Sequence, residues 1–327
     1  MIRAVRIASL LAALAVATPL LAAEEVTVPA WTSPAGMVWT VRTTTVMTTA
    51  FDGSGAAPAE TRTDRLELVH REQLVERGEG RAREVWTLDL DGGAVRVPPI
   101  SEEPADPHEA YRRSMAMWGV ALLEIETDAA GAPQRLLGKE AIRKRVDEVL
   151  RGLAQPGGQA PTTPPPIVAA FDAHPEMLID LLLPEARALA ALQTAKPQTT
   201  TVGASWTREG PDQVAGVALA KKTVFTVEAV DPAARTVTVA WHDEFEPEAL
   251  TKAFAGLIDA NLAAVRAKSG EPDEARRKAL STVAIANRGR IVVSLDDGAT
   301  RVTEYTRTGR FGDLTTSLST RIERRTP

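Results

Sequence analysis

The stretch KTVFTVEAVDPAARTVTVAWHDEF, residues 222–245, has the pattern of a β-hairpin and indicates the fold class. Its two arms, Lys222–Val230 and Arg235–Phe245, alternate apolar and polar residues with the two-residue period of a strand. Asp231-Pro232-Ala233-Ala234 between them is a turn sequence, since Asp and Pro favour turns. We therefore expect two antiparallel strands here, with one face directed towards a core.

Strand patterns recur on both sides of this hairpin. Arg65–Arg77 and Arg81–Asp91 predict a second hairpin across Gly78-Glu79-Gly80, and the Asp297-Gly298 turn predicts a third. Further strands are expected at 37–51, 118–126, 134–137, 202–207, 282–286, 290–295, 300–305 and 314–322. Helices are expected at 108–117, 139–154 and 248–268, with broken helical pieces at 167–192. The predicted fold class is α+β, mainly antiparallel β-sheet with packed helices.

A Pro/Gly-rich tract divides the chain into two β-rich halves. Residues 155–166 contain Gly157-Gly158 and several prolines, so we interpret them as a linker between residues 24–154 and residues 167–327. Both halves carry a G-x-x-W-T pattern, at Gly36–Thr40 and at Gly203–Thr207. The distance in sequence from Gly36 to Gly203 equals the distance from Gly131 to Gly298, two glycines in predicted turns. The shared spacing indicates that the halves are related copies. The alternative is a coincidental similarity, because Trp86 and Trp241 do not keep this spacing.

The first 23 residues have the layout of a secretory signal peptide. Arg3 and Arg6 precede an apolar run at 7–21, and Ala22-Ala23 follows it. The alternative is an uncleaved membrane anchor, because Leu21 stands where a small residue is preferred. However, the run is short for a membrane span. We expect cleavage near Ala23 and a soluble periplasmic or secreted bacterial protein.

Composition excludes several classes of protein. The chain has no Cys, so it can form neither a disulfide framework nor a lipid-modified N-terminal Cys. Its net charge of −5 is spread over interspersed acidic and basic residues, unlike the basic patch of a nucleic-acid-binding protein. After the signal segment, the most apolar stretch, residues 177–192, carries Asp180, Glu185 and Arg187. We therefore expect no stable transmembrane insertion after cleavage.

The densest polar cluster lies at residues 241–248, which contain His242 among four acidic residues. Imidazole and carboxylate groups can bind a metal or transfer protons. Strand alternation, however, places His242 and Glu244 on one face and Asp243 on the other. Glu246 and Glu248 precede a predicted helix, whose N-terminus favours acidic residues. We therefore prefer a structural role for the cluster.

No other motif predicts a catalytic, metal or cofactor site. The remaining histidines, His70, His108 and His174, are scattered, so a zinc site would need distant ligands. Ser205 lacks the second glycine of a nucleophile elbow. The loop at Asp89–Gly92 lacks the glutamate that an EF-hand requires, and Gly152–Gly158 lacks the Lys-Ser or Lys-Thr of a phosphate loop. We predict no metal and no cofactor.

The C-terminal half resembles uncharacterised exported bacterial proteins of β-rich type. The resemblance rests on Gly203-Ala-Ser-Trp206, on the hairpin at 222–245 and on Asp297-Gly298. It covers about the last 130 residues. Such families have no established activity, so the resemblance implies an exported β-rich protein and nothing about catalysis.

These observations favour a non-catalytic envelope protein that binds a hydrophobic ligand or a protein partner. The alternative is a hydrolase whose site is assembled from distant residues around His242. The apolar residues 177–179 and 181–183 belong either to the core or to a lid over an apolar ligand. If the halves are related, Trp39 and Trp206 should both be buried, each at the entry strand of its half.

Overall fold

Antiparallel β-sheet dominates the computed structural model of the chain, as the sequence predicts. The structure describes residues 25–51, 60–88, 122–144, 179, 183–214, 217–312 and 314–326. The signal segment, the linker at 155–166 and the helix predicted at 108–117 lie outside these ranges. None of the helices described is long and apolar enough to cross a membrane.

Within the described ranges, eleven strands form one sheet, and two short strands form another. The order in the large sheet is β6-β5-β4-β3-β2-β13-β12-β11-β10-β9-β8, and β1 pairs with β7. The strands are β1 (Glu25–Val28), β2 (Val38–Phe51), β3 (Glu60–Gly78), β4 (Arg81–Leu88), β5 (Leu122–Asp128), β6 (Pro133–Leu137), β7 (Gln198–Thr201), β8 (Ser205–Val214), β9 (Val217–Asp231), β10 (Thr236–Phe245), β11 (Val283–Ser294), β12 (Thr300–Phe311) and β13 (Leu314–Arg325).

The last strand joins the two halves of the sheet. β2 to β6 lie on one side of β13, and β8 to β12 lie on the other. β13 pairs with β2 along its whole length, from Leu314 opposite Phe51 to Arg325 opposite Thr40. The strands before and after the linker therefore belong to one continuous hydrogen-bonded sheet.

The hairpin at residues 222–245 forms as predicted, from β9 and β10. Asp231 stabilises its turn, because Oδ1 accepts the backbone N–H groups of Ala233 and Ala234, both at 2.9 Å. Arg235 closes the turn with a positive φ of 51°. The hairpins predicted across 78–80 and at Asp297-Gly298 also form, as β3–β4 and β11–β12.

Two predicted element boundaries were wrong. The strands expected at 282–286 and 290–295 are one strand, β11, which passes through Gly289 without a turn. A side chain at Gly289 would meet the Trp241 indole at 2.8 Å, so glycine is needed here for packing. The helix expected at 248–268 is two helices, because Phe254 leaves helical geometry and packs against Phe311 with ring centroids 5.1 Å apart.

Four helices are described: α1 (Pro184–Ala190), α2 (Pro247–Ala253), α3 (Ala255–Ser269) and α4 (Glu274–Leu280). Of these, α1 and α2 contact strands of the large sheet, and α3 packs against α2 and α4. The helix predicted at 139–154 is helical over its described part, residues 139–144. α1 contacts both β12 and β6, which are six positions apart in the sheet. Because adjacent strands lie about 4.8 Å apart, a helix of two turns can reach both only if the sheet curls around it.

The curl defines an inner and an outer face of the sheet. The inner face faces α1 and carries a buried core that includes Trp86 of β4, Ile125 of β5 and Ile322 of β13. A second part of this face, at the other end of β9, β11 and β12, packs against α2. Side chains of alternate residues point to the outer face.

The two G-x-x-W segments occupy matching places in their halves. Gly36 and Gly203 have positive φ angles of 86° and 85°. Each segment also exchanges backbone hydrogen bonds with the next strand of the sheet in the same pattern: Gly36 N–H to Leu74 O (2.7 Å), Leu74 N–H to Met37 O (3.0 Å), Gly203 N–H to Val227 O (2.8 Å) and Val227 N–H to Ala204 O (2.9 Å). Both halves therefore begin their first long strand in the same way.

The match extends across the strands that follow. In each half, a row of three residues directly opposite one another begins and ends with Trp: Trp39, Glu72 and Trp86 in one, and Trp206, Phe225 and Trp241 in the other. Trp86 and Trp241 thus hold matching positions in the sheet although their separation in sequence differs.

The two tryptophans that begin these rows differ in burial. Trp39 is fully buried, which confirms the prediction for the N-terminal half. The prediction for Trp206 was wrong, because this side chain is 36% exposed. β13 lies beside β2 and covers Trp39, whereas β8 ends the sheet, so the described strands leave Trp206 open on one side.

Candidate functional site

The polar cluster around His242 is divided between the two faces of the sheet. His242 and Glu244 lie on the outer face, 3.5 Å apart between Nε2 and Oε1, and more than half of each side chain is exposed. Asp243 points to the inner face and is buried. Glu246 and Glu248 lie at the N-terminus of α2, at the N-cap and in the first turn. The geometry follows the predicted alternation and does not assemble these residues into one site.

Asp243 is fully engaged in an inner-face network. Its carboxylate accepts hydrogen bonds from Thr223 Oγ1 at 2.6 Å, Asn287 Nδ2 at 2.9 Å and Lys221 Nζ at 2.9 Å. A buried carboxylate with these partners fixes β9, β10 and β11 to one another. Asp243 is therefore a structural residue.

The other candidates considered from sequence have structural roles or lie outside the described ranges. Ser205 donates its Oγ hydrogen to the backbone oxygen of Phe225 at 2.7 Å. His70 is buried at the edge of Trp86, with ring centroids 6.1 Å apart. His108, His174 and the loop at 89–92 lie outside the described ranges. No group of three His, Asp or Glu side chains suited to a metal occurs among the residues that were placed.

The most strongly buried charges lie between β3, β4 and β13. Arg324 Nε donates to Glu72 Oε2 at 2.7 Å, and its Nη2 donates to the other oxygen of the same carboxylate. The guanidinium carbon lies 4.7 Å from the centre of the Trp39 ring. On β4, Glu84 accepts a hydrogen bond from the Trp86 indole at 3.0 Å.

Burial sets the protonation of this cluster. Burial, together with the charge of Glu72, raises the pKa of Glu84 to about 8. Burial also raises the pKa of Glu72, and Arg324 opposes that rise. Burial lowers the pKa of His70, with Glu185 opposing the change. Glu84 is therefore a neutral acid at pH 7.

This cluster is closed to a substrate. The side chains of Arg324 and Glu72 are 3% and 0% exposed, and Glu84 is buried beside them. Perturbed pKa values often mark active sites, but ion-pair networks in a core perturb them too. We assign the cluster to the stability of the sheet.

Part of the apolar run expected to form a core or a lid is described. Ile179 and Leu183 are fully buried and belong to the cluster that includes Trp86 and Ile125. These two residues pack as core. The other residues of the run, 177, 178, 181 and 182, lie outside the described ranges.

Apolar side chains that remain exposed mark a different part of the inner face. Met47 is opposite Leu318, and Phe51 is opposite Leu314, in the pairing of β2 with β13. Met47 lies an even number of residues from buried Trp39 in a strand without a bulge, so both point to the inner face. Met47 and Phe51 are 44% and 48% exposed. These four residues are named the apolar strip.

The apolar strip continues a row that begins under the helices. Val283 of β11 is opposite Phe311 of β12, and Phe311 is opposite Leu314 of β13. Val283 and Phe311 pack against the core of Leu250 and Phe254. The row is thus covered on β11 and β12 and becomes accessible to solvent on β2.

A cavity of about 400 Å³ opens beside the strip. Two apolar side chains and one threonine of β2 line it, together with three charged side chains of β3: Met47, Phe51 and Thr49, and Glu60, Arg62 and Asp64. Arg62 and Asp64 form an ion pair at 2.9 Å. The cavity is therefore mostly apolar on its β2 side and charged on its β3 side, where each charged residue stands directly opposite a lining residue of β2.

Sequence reasoning did not identify the strip. Met47 and Phe51 are an even number of residues apart in a threonine-rich strand, so the two-residue period of a strand places both on one face. The pattern does not show whether a helix covers that face. The pairing with Leu314 and Leu318 depends on the register between two strands at opposite ends of the chain, which no local pattern specifies.

Comparison with known proteins identifies no family for this chain. No family model matches the sequence, and no curated protein matches it. A lipovitellin structure concerned with lipid–protein interactions is similar, with a TM-score of 0.39 and 10% identity, covering 89% of this chain and 25% of that chain. An outer membrane channel from Pseudomonas putida F1 has a TM-score of 0.19 and 8% identity, covering 90% of this chain and 97% of that chain. The chain thus spans about a quarter of the lipovitellin chain, and both TM-scores are too low to carry an argument.

Proposed function

We propose that the protein is an exported, non-catalytic binding protein that holds a hydrophobic ligand against the apolar strip. The observation that supports this most is the exposure of Met47 and Phe51 on the same face of the sheet as the core. In the described core of this face, apolar side chains such as Trp86, Ile125 and Ile322 are buried. A ligand that covers the strip would remove the apolar area that is still in contact with water.

The dimensions of the cavity fit a small molecule. Ligand pockets commonly have volumes of about 300–1,000 Å³, with mostly apolar walls and a few polar groups. The cavity of about 400 Å³ lies within this range. Phe51 and Met47 would contact the apolar part of the ligand. Glu60, Arg62 and Asp64 of β3, which stand opposite the lining residues of β2, would contact its polar end.

Binding of a fluorescent fatty acid, cis-parinaric acid, tests the proposal. The double variant Met47→Ser/Phe51→Ser should bind this probe at least tenfold more weakly, because each of these side chains contributes about 1.5–3 kcal/mol when fully buried. Leu122→Ser is the matched control, since Leu122 is 57% exposed and lies on β5, away from the strip. The proposal fails if the double variant and the control bind the probe as tightly as the parent.

A further inference from the structure

Strand β8 lies at one end of the large sheet, and its outer edge pairs with no other strand in the part of the chain that the structure describes. β8 is last in the sheet, and all residues from Ser205 to Glu209 are exposed. An exposed strand edge presents unpaired N–H and C=O groups that can pair with another strand. At the opposite end of the sheet, β6 has only five residues and begins at Pro133.

The N-terminal half shows what occupies the matching edge. β2 corresponds to β8, since Trp39 and Trp206 begin the matching rows. β13 pairs with β2 in antiparallel orientation and places the Arg324 guanidinium 4.7 Å from the centre of the Trp39 ring. In the described part of the chain, no strand takes this place beside β8.

The hydrogen bonds at the start of β8 show which backbone groups point outwards. Val227 of β9 bonds to Gly203 and Ala204, so alternation turns Phe225 and Thr223 towards β8 as well. Their opposite residues, Trp206 and Arg208, use their backbone groups for β9. The N–H and C=O groups of the intervening residues, Ser205, Thr207 and Glu209, therefore point to the free edge.

We propose that β8 pairs with β8 of a second copy of the chain, in antiparallel orientation around Thr207. Thr207 would exchange two hydrogen bonds with its counterpart across the two-fold axis. On each side of the axis, Ser205 of one copy would exchange two further hydrogen bonds with Glu209 of the other copy. Pro211 ends the paired segment, because its outward-facing nitrogen has no hydrogen to donate.

The side chains of β8 are complementary to themselves in this register. Arg208 of one copy stands directly opposite Trp206 of the other, so its guanidinium would reach the indole ring. Within the sheet, Arg324 reaches the Trp39 ring from the diagonal position, opposite Val41. The guanidinium of Arg208 already lies on the aromatic row, 5.6 Å from the centre of the Phe225 ring. Two Thr207 hydroxyls would meet across the axis, as the hydroxyls of Thr48 and Thr63 do at 3.2 Å within the sheet.

Light scattering coupled to size-exclusion chromatography measures the mass in solution. The parent chain should have twice the monomer mass at high concentration. Thr207→Pro should be monomeric, because it removes the central outward N–H while leaving the bonds to β9 in place. Thr207→Ala keeps that N–H and should remain dimeric. Circular dichroism should show that all three fold alike.

Cross-linking tests the register independently. The chain has no Cys, so Thr207→Cys introduces a single thiol on the proposed axis. Directly paired strand residues have Cα atoms about 5.5 Å apart, within the range of a disulfide. Mild oxidation should yield a reducible dimer, whereas Leu122→Cys should stay monomeric. A parent that is monomeric at every concentration, or a Thr207→Pro variant that stays dimeric, would overturn the proposal.

Discussion

Arg324 and Glu72 form a buried ion pair across an intervening strand. Arg324 belongs to β13 and Glu72 to β3, and β2 lies between them in the sheet. The guanidinium reaches both carboxylate oxygens while lying over the Trp39 ring of β2. Three neighbouring strands, including the last of the chain, are thus connected by one pair of side chains.

Removing Arg324 should strongly destabilise the fold. Arg324→Met leaves the Glu72 carboxylate buried without its partner, a change that typically costs about 3–5 kcal/mol. Urea denaturation followed by circular dichroism measures the loss. Arg325→Met is the matched control, because its side chain is 73% exposed, and it should change the unfolding free energy by less than about 0.5 kcal/mol. Equal effects of the two variants would contradict a structural role for the buried pair.

Stability should fall as the pH rises from about 6.5 to 8. The pKa of Glu84 is about 8 in the folded protein, whereas a glutamate in an unfolded chain titrates near pH 4.3. Folding therefore takes up a proton in this window, and the unfolding free energy falls by up to about 1.4 kcal/mol per pH unit. Below about pH 6.5 the lowered pKa of His70 acts in the opposite direction, because a falling pH then favours the unfolded chain.

Glu84→Gln tests the origin of this slope. The variant keeps an oxygen that can accept the hydrogen bond from the Trp86 indole, but it cannot lose a proton. Urea denaturation at a series of pH values should give a flatter profile between pH 6.5 and 8 than in the parent. An unchanged slope would assign the pH dependence to other groups.

The two matching tryptophans should differ in their contribution to stability. Trp39→Ala removes a fully buried side chain and should cost about 3–5 kcal/mol. Trp206→Ala should cost clearly less, because this side chain is 36% exposed. Thermal unfolding of both variants gives the comparison. A larger loss for Trp206→Ala would mean that β8 is covered in solution by something the described strands do not provide.

Export and processing give a mass that can be predicted from the sequence. Protein recovered from the bacterial envelope should lack residues 1–23, because the basic start, apolar run and small residues match a signal peptide. Intact-mass spectrometry identifies the first residue of the recovered protein. Recovery of a membrane-bound chain that retains Met1 would instead support the uncleaved anchor.

The local features of the fold could be predicted from the sequence. The β9–β10 and β11–β12 hairpins form because their alternation and turn residues act within about 25 residues of chain. The sequence predicted two strands, 282–286 and 290–295, where one strand passes through Gly289, because a glycine required for close packing looks the same in sequence as one required for a turn. The true role of Gly289 depends on Trp241, which lies on another strand.

The candidate site could not be predicted, because it depends on long-range pairing. Phe51 and Leu314 become neighbours only when β2 and β13 meet in one register. The burial of Glu72 likewise depends on Arg324, which follows it by 252 residues. The strand predicted at residues 37–51 is compatible with Met47 and Phe51 on one face, but the sequence pattern does not show whether that face is covered.

The position of β13 also determines when the sheet can be completed. Thr45 of β2 and Thr320 of β13 are 275 residues apart, so their pairing closes a very long loop and contributes to slow folding. During synthesis, the backbone N–H and C=O groups on the facing edges of β2 and β12 remain unpaired until β13 has been made. A chain truncated before Leu314 would leave both edges open and should aggregate, even though its other hairpins could still form.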